Sequence, residues 1–202
     1  FPYTTLFRSQ LAIHAMDMLR QQVRPESRIG TWIINGGTAS NVIPATGELE
    51  VTVRHTEREY LNGLSTQIKK IFEGAALCTG TTVDVEFYGN PYDDMNQNHR
   101  GTHLIEEVMT DMGLDFEPGP ADIGGSSDIG NVSYQCAAFH PKLRLAGPDK
   151  VCHAKEFADA LLEPTIEQTI VDGANIIGGT LLRLVENPAI LEEIVAEFNT
   201  TK

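Results

Sequence analysis

The chain has 202 residues, of which 41% are hydrophobic and 21% are charged, and this composition is that of a globular protein with a packed core. Its 15 basic and 28 acidic residues give a formal net charge of −13, which argues against a large surface for nucleic acid or anionic membranes, because such surfaces need clustered lysine and arginine. No apolar run approaches the roughly 20 residues that span a bilayer, no signal peptide is visible, and three cysteines without CxxC spacing predict a reducing, cytoplasmic location.

The first nine residues differ in character from the rest of the chain. Residues 1–9 resemble translated adapter sequence, and we interpret them as a non-native segment. The alternative is a short native strand, because residues 3–7 have strand propensity. From Gln10 the apolar spacing predicts a helix that ends near Pro25, and residues 29–34 then predict a strand.

The next segment predicts two further strands around a helix. Residues 48–54 alternate apolar and polar side chains and predict a half-buried strand. Thr56 and Glu59 form a capping box for a helix that ends before Gly80. Residues 83–87 alternate again, so they predict another strand. The order α-β-β-α-β is that of a ferredoxin-like βαββαβ domain without its first strand.

A polar stretch after Asn90 marks a domain boundary, and we divide the chain into residues 10–90 and 91–202. The second region begins as though its first half lay elsewhere. The elements predicted there are a helix over about 101–112, a Gly/Ser loop at 124–128, a short strand around 136–139 and helices from 156 onward. The two regions together predict an α/β fold.

Several side chains are candidates for binding or catalysis, each with a structural alternative. His99 and His103 are spaced as zinc ligands on one helix face, but no HExxH glutamate accompanies them, so a solvated first turn is the favoured interpretation and a metal site the alternative. His153 lies in a loop, where a lone histidine is more often structural than a ligand. In residues 125–127 the glycine allows a ligand to approach the backbone closely and the serine hydroxyl groups can bind a carboxylate, but an ordinary Gly/Ser turn has the same composition. Asn41 is typical of a turn.

Taken in order, four motifs resemble one known family. Residues 36–44 (GGTASNVIP) precede the strand that ends at Arg54, and residues 125–134 (GSSDIGNVSY), 139–141 (FHP) and 152–157 (CHAKEF) follow. They resemble the aminoacylase/carboxypeptidase-G metallopeptidases, in the branch of p-aminobenzoyl-glutamate hydrolases and aminoacylase-1-like dipeptidases. The resemblance covers nearly everything after Gln10.

The resemblance implies a two-domain enzyme. Residues 10–90 would be an incomplete ferredoxin-like lid that also forms a homodimer, and residues 91–202 would be the C-terminal part of a zinc-peptidase-like α/β catalytic domain. The resemblance further implies two divalent metals, zinc or manganese, that activate a water molecule, and a glutamate as general base. The substrate would be a small amide, such as an N-acyl amino acid, an aminoacyl-glutamate or a dipeptide.

The resemblance also assigns roles to residues of this sequence. His153 matches the last metal ligand of the family. Asn41 matches a lid asparagine that points towards the active site of the partner subunit, and Arg54 matches a lid arginine that meets a substrate carboxylate. The substrate end of the cleft is assigned to a loop of three residues, Gly125, Ser126 and Ser127.

Two departures from the family pattern limit what the chain does alone. The other metal ligands and the general base of the family lie upstream of the lid, and no residue here replaces them, so we expect the fragment by itself to be inactive. Gly30 follows Arg28 and Ile29 where the family usually has histidine, which leaves Asn41 as the catalytic group that would stabilise an oxyanion. Gly30 also favours the alternative of a non-catalytic dimerisation or ligand-binding module.

Overall fold

The structure is a computed structural model that describes residues 5–118, 125–145, 147 and 152–201. It divides the chain into two compact units, with the boundary between Asp94 and Met95. The described residues form helices and a small sheet, in agreement with the predicted α/β class. None of the described helices is both long and apolar enough to cross a bilayer.

The first unit is built from two helices and a two-stranded antiparallel sheet. Its elements are α1 (Thr5–Leu19), β1 (Arg28–Asn35), β2 (Glu48–Arg54) and α2 (Arg58–Cys78). In the sheet Ile29 lies opposite Val53 and Thr31 opposite Val51, with an irregularity in register between Ile33 and Asn35. Because side chains alternate along a strand, these four residues point to one face and their neighbours to the other.

The core of the first unit lies between the helices and one face of the sheet. Met16 of α1 and Leu64 and Ile68 of α2 are buried, and Ile29, Val51 and Val53 are among the residues that pack against them. The opposite face, with Arg28, Gly30 and Trp32 on β1 and Glu50, Thr52 and Arg54 on β2, carries no helix of this core. We call these six residues the outer sheet face.

Three predictions for the first unit are wrong. Residues 81–88 lie outside any helix or strand, because a strand needs a neighbouring ladder and no described strand pairs with them. The helix α1 begins at Thr5, so residues 5–7 do not form the alternative native strand. The capping box of Thr56 and Glu59 is replaced by Asp94, whose Oδ1 accepts the N–H of Arg58 at 3.2 Å.

The ferredoxin-like arrangement of residues 10–90 and the non-native origin of residues 1–9 stay predictions. Within the described residues the sheet has two strands, fewer than the ferredoxin-like fold requires.

The described part of the second unit is helical. Its elements are α3 (His99–Asp111), α4 (Ile129–Ser133), α5 (Lys155–Asp159), a 3-10 turn (Ala160–Leu162), α6 (Thr165–Glu186) and α7 (Pro188–Thr201). The strand predicted around 136–139 is wrong, since Cys136 lies in a bend and residues 137–140 form neither helix nor strand. As in the first unit, a short apolar run without a neighbouring ladder does not form a strand.

The core of the second unit joins α3 to α6. Ile105 and Met109 of α3 are buried with Ile176 of α6, and Phe139 packs against them. The Phe139 ring lies directly over Gly101, where an added Cβ would be only 2.0 Å from its Cε1 atom. The C-terminal helix α7 holds the start of α3, because the Glu197 carboxylate accepts the N–H groups of the first two residues of α3 at 2.7 and 2.8 Å.

Candidate functional site

His153 lies in the turn that leads into α5, and its backbone has a φ of 71°. It is the one non-glycine residue with a positive φ in the part of the chain that the structure describes. The left-handed conformation costs an ordinary residue about 1–2 kcal/mol. Strained residues of this kind persist where the surrounding fold holds them, and they concentrate at functional sites. The side chain is exposed, so the turn presents an accessible imidazole.

The Gly/Ser loop lies at the start of α4, where Ser127 has a local role. Its Oγ accepts the N–H of Ile129 at 3.4 Å, and its carbonyl accepts the N–H of Gly130 at 3.4 Å. The hydroxyl of Ser127 is therefore engaged in the first turn of the helix. Ser126 and Gly125 are exposed, which leaves the Ser126 hydroxyl and the Gly125 backbone as the accessible groups of the predicted substrate loop.

A basic side chain lies beside this loop. A Cβ on Gly125 would be 3.9 Å from the Nζ of Lys142. The predicted loop residues and His153 are not joined directly, because no hydrogen bond or ion pair among the described residues links His153 to residues 125–127. Any shared ligand would have to bridge separate groups.

Asn41 lies in the loop between β1 and β2, and its side chain is exposed. The loop starts with a tight turn at Gly37, whose φ is 114° and whose N–H donates to the Asn35 Oδ1 at 3.1 Å. It continues through a second turn in which the N–H of Val42 donates to the carbonyl of Ala39 at 3.2 Å. The loop backbone is thus organised by its own hydrogen bonds, while the Asn41 amide faces solvent.

Arg54 is the last residue of β2 and lies directly opposite Arg28 on the outer sheet face. Opposed like charges destabilise a strand pair unless something compensates them. The Arg28 guanidinium is held by two backbone carbonyls, that of Pro25 at 2.5 Å and that of Ser27 at 2.8 Å. The exposed Arg54 guanidinium makes no hydrogen bond or ion pair with the described residues. The pair therefore offers one anchored and one accessible positive charge, a suitable arrangement for an anion.

The rest of the outer sheet face is open next to the arginines. Gly30 has room for a side chain, since an added Cβ would lie 3.9 Å from the Cβ and carbonyl oxygen of Thr52. Trp32 is 63% exposed. The Tyr88 phenol hydrogen-bonds to the Glu50 carboxylate, and this bond is the main reason that the pKa of Tyr88 is raised. Loss of hydration and the negative charge of Glu50 raise the pKa further, while a hydrogen bond with Thr52 acts against them.

The similarity of the chain to known proteins supports the family resemblance found in its sequence motifs. No family model matches the chain. The Xaa-Arg dipeptidase of Mus musculus is 30% identical over 191 residues, and that of Homo sapiens is 27% identical over 194 residues. Each match covers 93% of this chain and 44% of the relative. The N-acetyldiaminopimelate deacetylase of Leuconostoc citreum is 30% identical over 112 residues, which is 54% of this chain and 29% of that protein.

The chain belongs to the aminoacylase/dipeptidase family. It spans less than half the length of the curated Xaa-Arg dipeptidases it matches. The predicted family is thus confirmed. The roles that the family implies for individual residues are not decided by these matches and stay predictions.

The side chains of the described residues do not by themselves fit the metals expected of this family. No group of three or more His, Cys, Asp or Glu side chains in the described part of the chain is arranged to hold a metal ion. A catalytic zinc usually has about three protein ligands, so His153 alone does not suffice. The alternative site at His99 and His103 finds no support, since the His103 ring instead lies 3.4 to 3.5 Å from the carboxylates of its neighbours Glu107 and Glu106.

Three features of this family member were not foreseen from its sequence. The contact between Tyr88 and Glu50 joins residues 38 positions apart along the chain, and no local pattern indicates it. The positive φ of His153 also has no local signal, because left-handed positions are usually marked by glycine. The pairing of Arg28 with Arg54 follows from the strand register, and the period of two in both strands was the signal that would have found it.

Proposed function

We propose that the longer protein to which this chain contributes is a metal-dependent amidohydrolase. It would hydrolyse an amide bond in a dipeptide, an aminoacyl-glutamate or another N-acyl amino acid. The observation that carries the proposal is the match to the two Xaa-Arg dipeptidases along 93% of the chain. The strained, exposed position of His153 supports it, since that residue is the one predicted to bind metal.

In this proposal the chain supplies binding groups more than a complete catalytic centre. Arg54 would bind a substrate carboxylate, because a guanidinium matches a carboxylate with two parallel hydrogen bonds. Its partner Arg28 is held by backbone carbonyls, which supports Arg54 as the group free to do so. Gly125 and Ser126 would line the end of the substrate cleft. His153 would be one ligand of a zinc or manganese site whose other ligands come from outside this chain.

Asn41 would donate a hydrogen bond to the oxyanion that forms when the amide carbonyl is attacked. An oriented amide N–H at that position stabilises developing charge and is worth about 10²–10³ in rate in other hydrolases. The exposed amide on a loop whose backbone is internally hydrogen-bonded supports this role. In the homodimer that we propose through the lid, the oxyanion would be in the partner subunit's active site. The three cysteines are free and exposed, which supports a reducing cytoplasmic location.

The proposal is tested with the chain alone and with the longer gene product. For the purified chain we expect metal well below one equivalent and no hydrolysis of Xaa-Arg dipeptides, N-acetyl amino acids or aminoacyl-glutamates. For the longer product we expect turnover that His153→Ala abolishes. Tight stoichiometric metal with turnover in the chain alone would contradict its predicted inactivity. A longer product that hydrolyses none of these amides with zinc or manganese supplied would contradict the amidohydrolase itself.

The second candidate is a non-catalytic dimerisation or ligand-binding module. The observation that favours it is Gly30, which leaves the outer sheet face without the histidine of the family pattern. The gene sequence upstream distinguishes the two. An HxD motif followed by a Glu-Glu pair favours the enzyme, and their absence favours the module.

A further inference from the structure

The ends of β1 and β2 meet at a pair of like charges. Arg28 is the first residue of β1 and Arg54 is the last residue of β2, and the two lie opposite each other in the sheet. Opposed like charges push a strand pair apart. A bond near this pair is therefore needed to hold the two strand ends together and to keep the accessible Arg54 guanidinium in one place.

Such a bond lies one residue beyond the arginine pair. Ser27 precedes Arg28 and His55 follows Arg54, and the Ser27 Oγ and His55 Nδ1 atoms share a hydrogen bond at 3.2 Å. Because side chains alternate along extended backbone, these two residues lie on the core side of the sheet, behind the arginines of the outer sheet face. Ser27 is only 7% exposed, so water competes little for this bond.

The His55 ring is held from the helix side as well. It packs against the Tyr60 ring of α2, with 4.2 Å between the ring centroids. The Tyr60 hydroxyl accepts the N–H of Arg24 at 3.1 Å, and the Arg24 guanidinium lies over the same ring, 4.4 Å from its centroid. The turn before β1, the start of α2 and the end of β2 are thus joined at His55.

The second nitrogen of the His55 ring does not contribute to stability. The Nε2 atom is buried and has no hydrogen-bond partner among the described residues. Most buried polar atoms are paired, and an unpaired one costs free energy that a hydrocarbon ring of similar shape would not. A phenylalanine would keep the contact with Tyr60 without this cost. What phenylalanine cannot provide is Nδ1, so the bond to Ser27 distinguishes histidine from an apolar ring at this position.

We propose that Ser27 and His55 are positioning residues for Arg54. Their hydrogen bond closes the strand ends against the repulsion of the two arginines, and so fixes the place from which the Arg54 guanidinium reaches a substrate carboxylate. Neither residue touches substrate in this arrangement, because both lie on the core side of the sheet. The inference rests on the proposed function of Arg54 as the group that binds the carboxylate, and it adds the residues that hold Arg54 in place.

The first test uses the longer gene product and two substrates, a dipeptide with a free C-terminal carboxylate and its C-terminal amide. We expect Arg54→Ala to reduce the preference for the carboxylate, measured as the ratio of the two kcat/KM values, by about tenfold or more. Ser27→Ala and His55→Phe should each raise KM for the carboxylate substrate about threefold to tenfold with little change in kcat, because binding and not the chemical step is weakened. Neither variant should change kcat/KM for the amide substrate.

Three further variants separate positioning from a purely structural role. Adding His55→Phe to Arg54→Ala should not change the ratio further, since the group that His55 positions is gone. His55→Asn should keep most of the preference, because its side-chain amide places a hydrogen-bonding atom where Nδ1 lies. Thr81→Ala is the matched control. It removes a hydrogen bond of 3.0 Å between the hydroxyl groups of Thr79 and Thr81, beyond the end of α2 in the same unit, and should leave the ratio unchanged.

The second test uses the chain alone and needs no activity. Ser27→Ala leaves both nitrogens of the His55 ring unpaired, so we expect this variant to unfold at a lower urea concentration than the wild type. Adding His55→Phe removes both nitrogens and should restore at least the wild-type stability. Backbone ¹⁵N relaxation should nonetheless show residues 28 and 54 to be more mobile in this double variant, while residues 31 and 51, further along the paired strands, stay unchanged.

Three results would overturn the proposal. If Ser27→Ala and His55→Phe keep the carboxylate preference that Arg54→Ala loses, Arg54 binds the carboxylate without their help. If His55→Phe lowers the ratio further in the Arg54→Ala background, His55 acts on the substrate by another route. If the relaxation of residues 28 and 54 is unchanged, the hydrogen bond does not hold the strand ends. Should Arg54→Ala itself keep the preference, or the longer product hydrolyse neither substrate, the proposed function fails, and the relaxation measurement still decides whether Ser27 and His55 fix the position of Arg54.

Discussion

The left-handed backbone of His153 predicts an unusual response to substitution. His153→Gly and His153→Ala both remove the imidazole, but only glycine adopts a φ of 71° without the cost of a Cβ. That cost is about 1–2 kcal/mol. Glycine loses about 0.5–1 kcal/mol more conformational entropy on folding than alanine, which offsets part of the gain. We therefore expect the glycine variant to be more stable than the alanine variant by about 0.5–1 kcal/mol.

The assay is urea denaturation followed by circular dichroism, which reports the helices of both units. The fluorescence of Trp32, the single tryptophan of the chain, reports the first unit and serves as the internal control, because neither substitution should change it. In the longer gene product both variants should lose turnover and metal alike. The glycine variant would then be more stable to unfolding than the alanine variant, although both lack turnover and metal. An alanine variant as stable as the glycine variant would refute the backbone strain at His153. A glycine variant that retains its full metal content would refute His153 as a metal ligand.

Three further predictions concern the rest of the fold. Gly101→Ala should destabilise the second unit by about 1–3 kcal/mol, because its Cβ would overlap the aromatic ring that lies on it, whereas Gly74→Ala, with nothing within 4 Å, should be neutral or stabilising in the same denaturation assay. Glu197→Gln should cost about 1 kcal/mol by removing the charge that holds the start of α3, and an unchanged urea midpoint would contradict this. The pKa of Tyr88 should fall towards its ordinary value in Glu50→Gln. It is measured by ultraviolet pH titration of Glu50→Gln and of the double variant Glu50→Gln/Tyr88→Phe, because the difference between the two curves is the titration of Tyr88. Because the folded pKa is raised, the contact stabilises the fold below the ordinary tyrosine pKa, and its contribution is lost as pH rises through the raised value.

The sequence predicted those elements whose pattern is local. Residues 29–34 and 48–54 were expected as strands, and the structure has β1 at Arg28–Asn35 and β2 at Glu48–Arg54. The helix expected over about 101–112 appears as His99–Asp111. Each carries a period that is visible in its own residues, and the two strands are adjacent along the chain, so they can pair with each other.

The predicted strands that failed depend on a partner elsewhere. Residues 83–87 and 136–139 have the composition of strands, yet neither has a described neighbour to form a ladder with. Composition reports how well a segment fits a sheet and is silent on whether the sheet is present. The start of α2 was misplaced for a similar reason. Its first N–H donates to Asp94, which is 36 residues away, and no local capping pattern reveals that bond.

Gly30 differs from the histidine of the family pattern, and the structure shows that the backbone of β1 does not require this glycine. Glycine is required where a left-handed backbone or a close contact excludes a side chain, but Gly30 has no positive φ and has ordinary space beside Thr52. The fold of β1 would therefore accept the histidine of the family pattern. Its absence changes the groups available on the outer sheet face, next to the accessible Arg54, and leaves the strand itself intact. For this member of the family, the oxyanion role that we propose consequently falls to the exposed amide of Asn41.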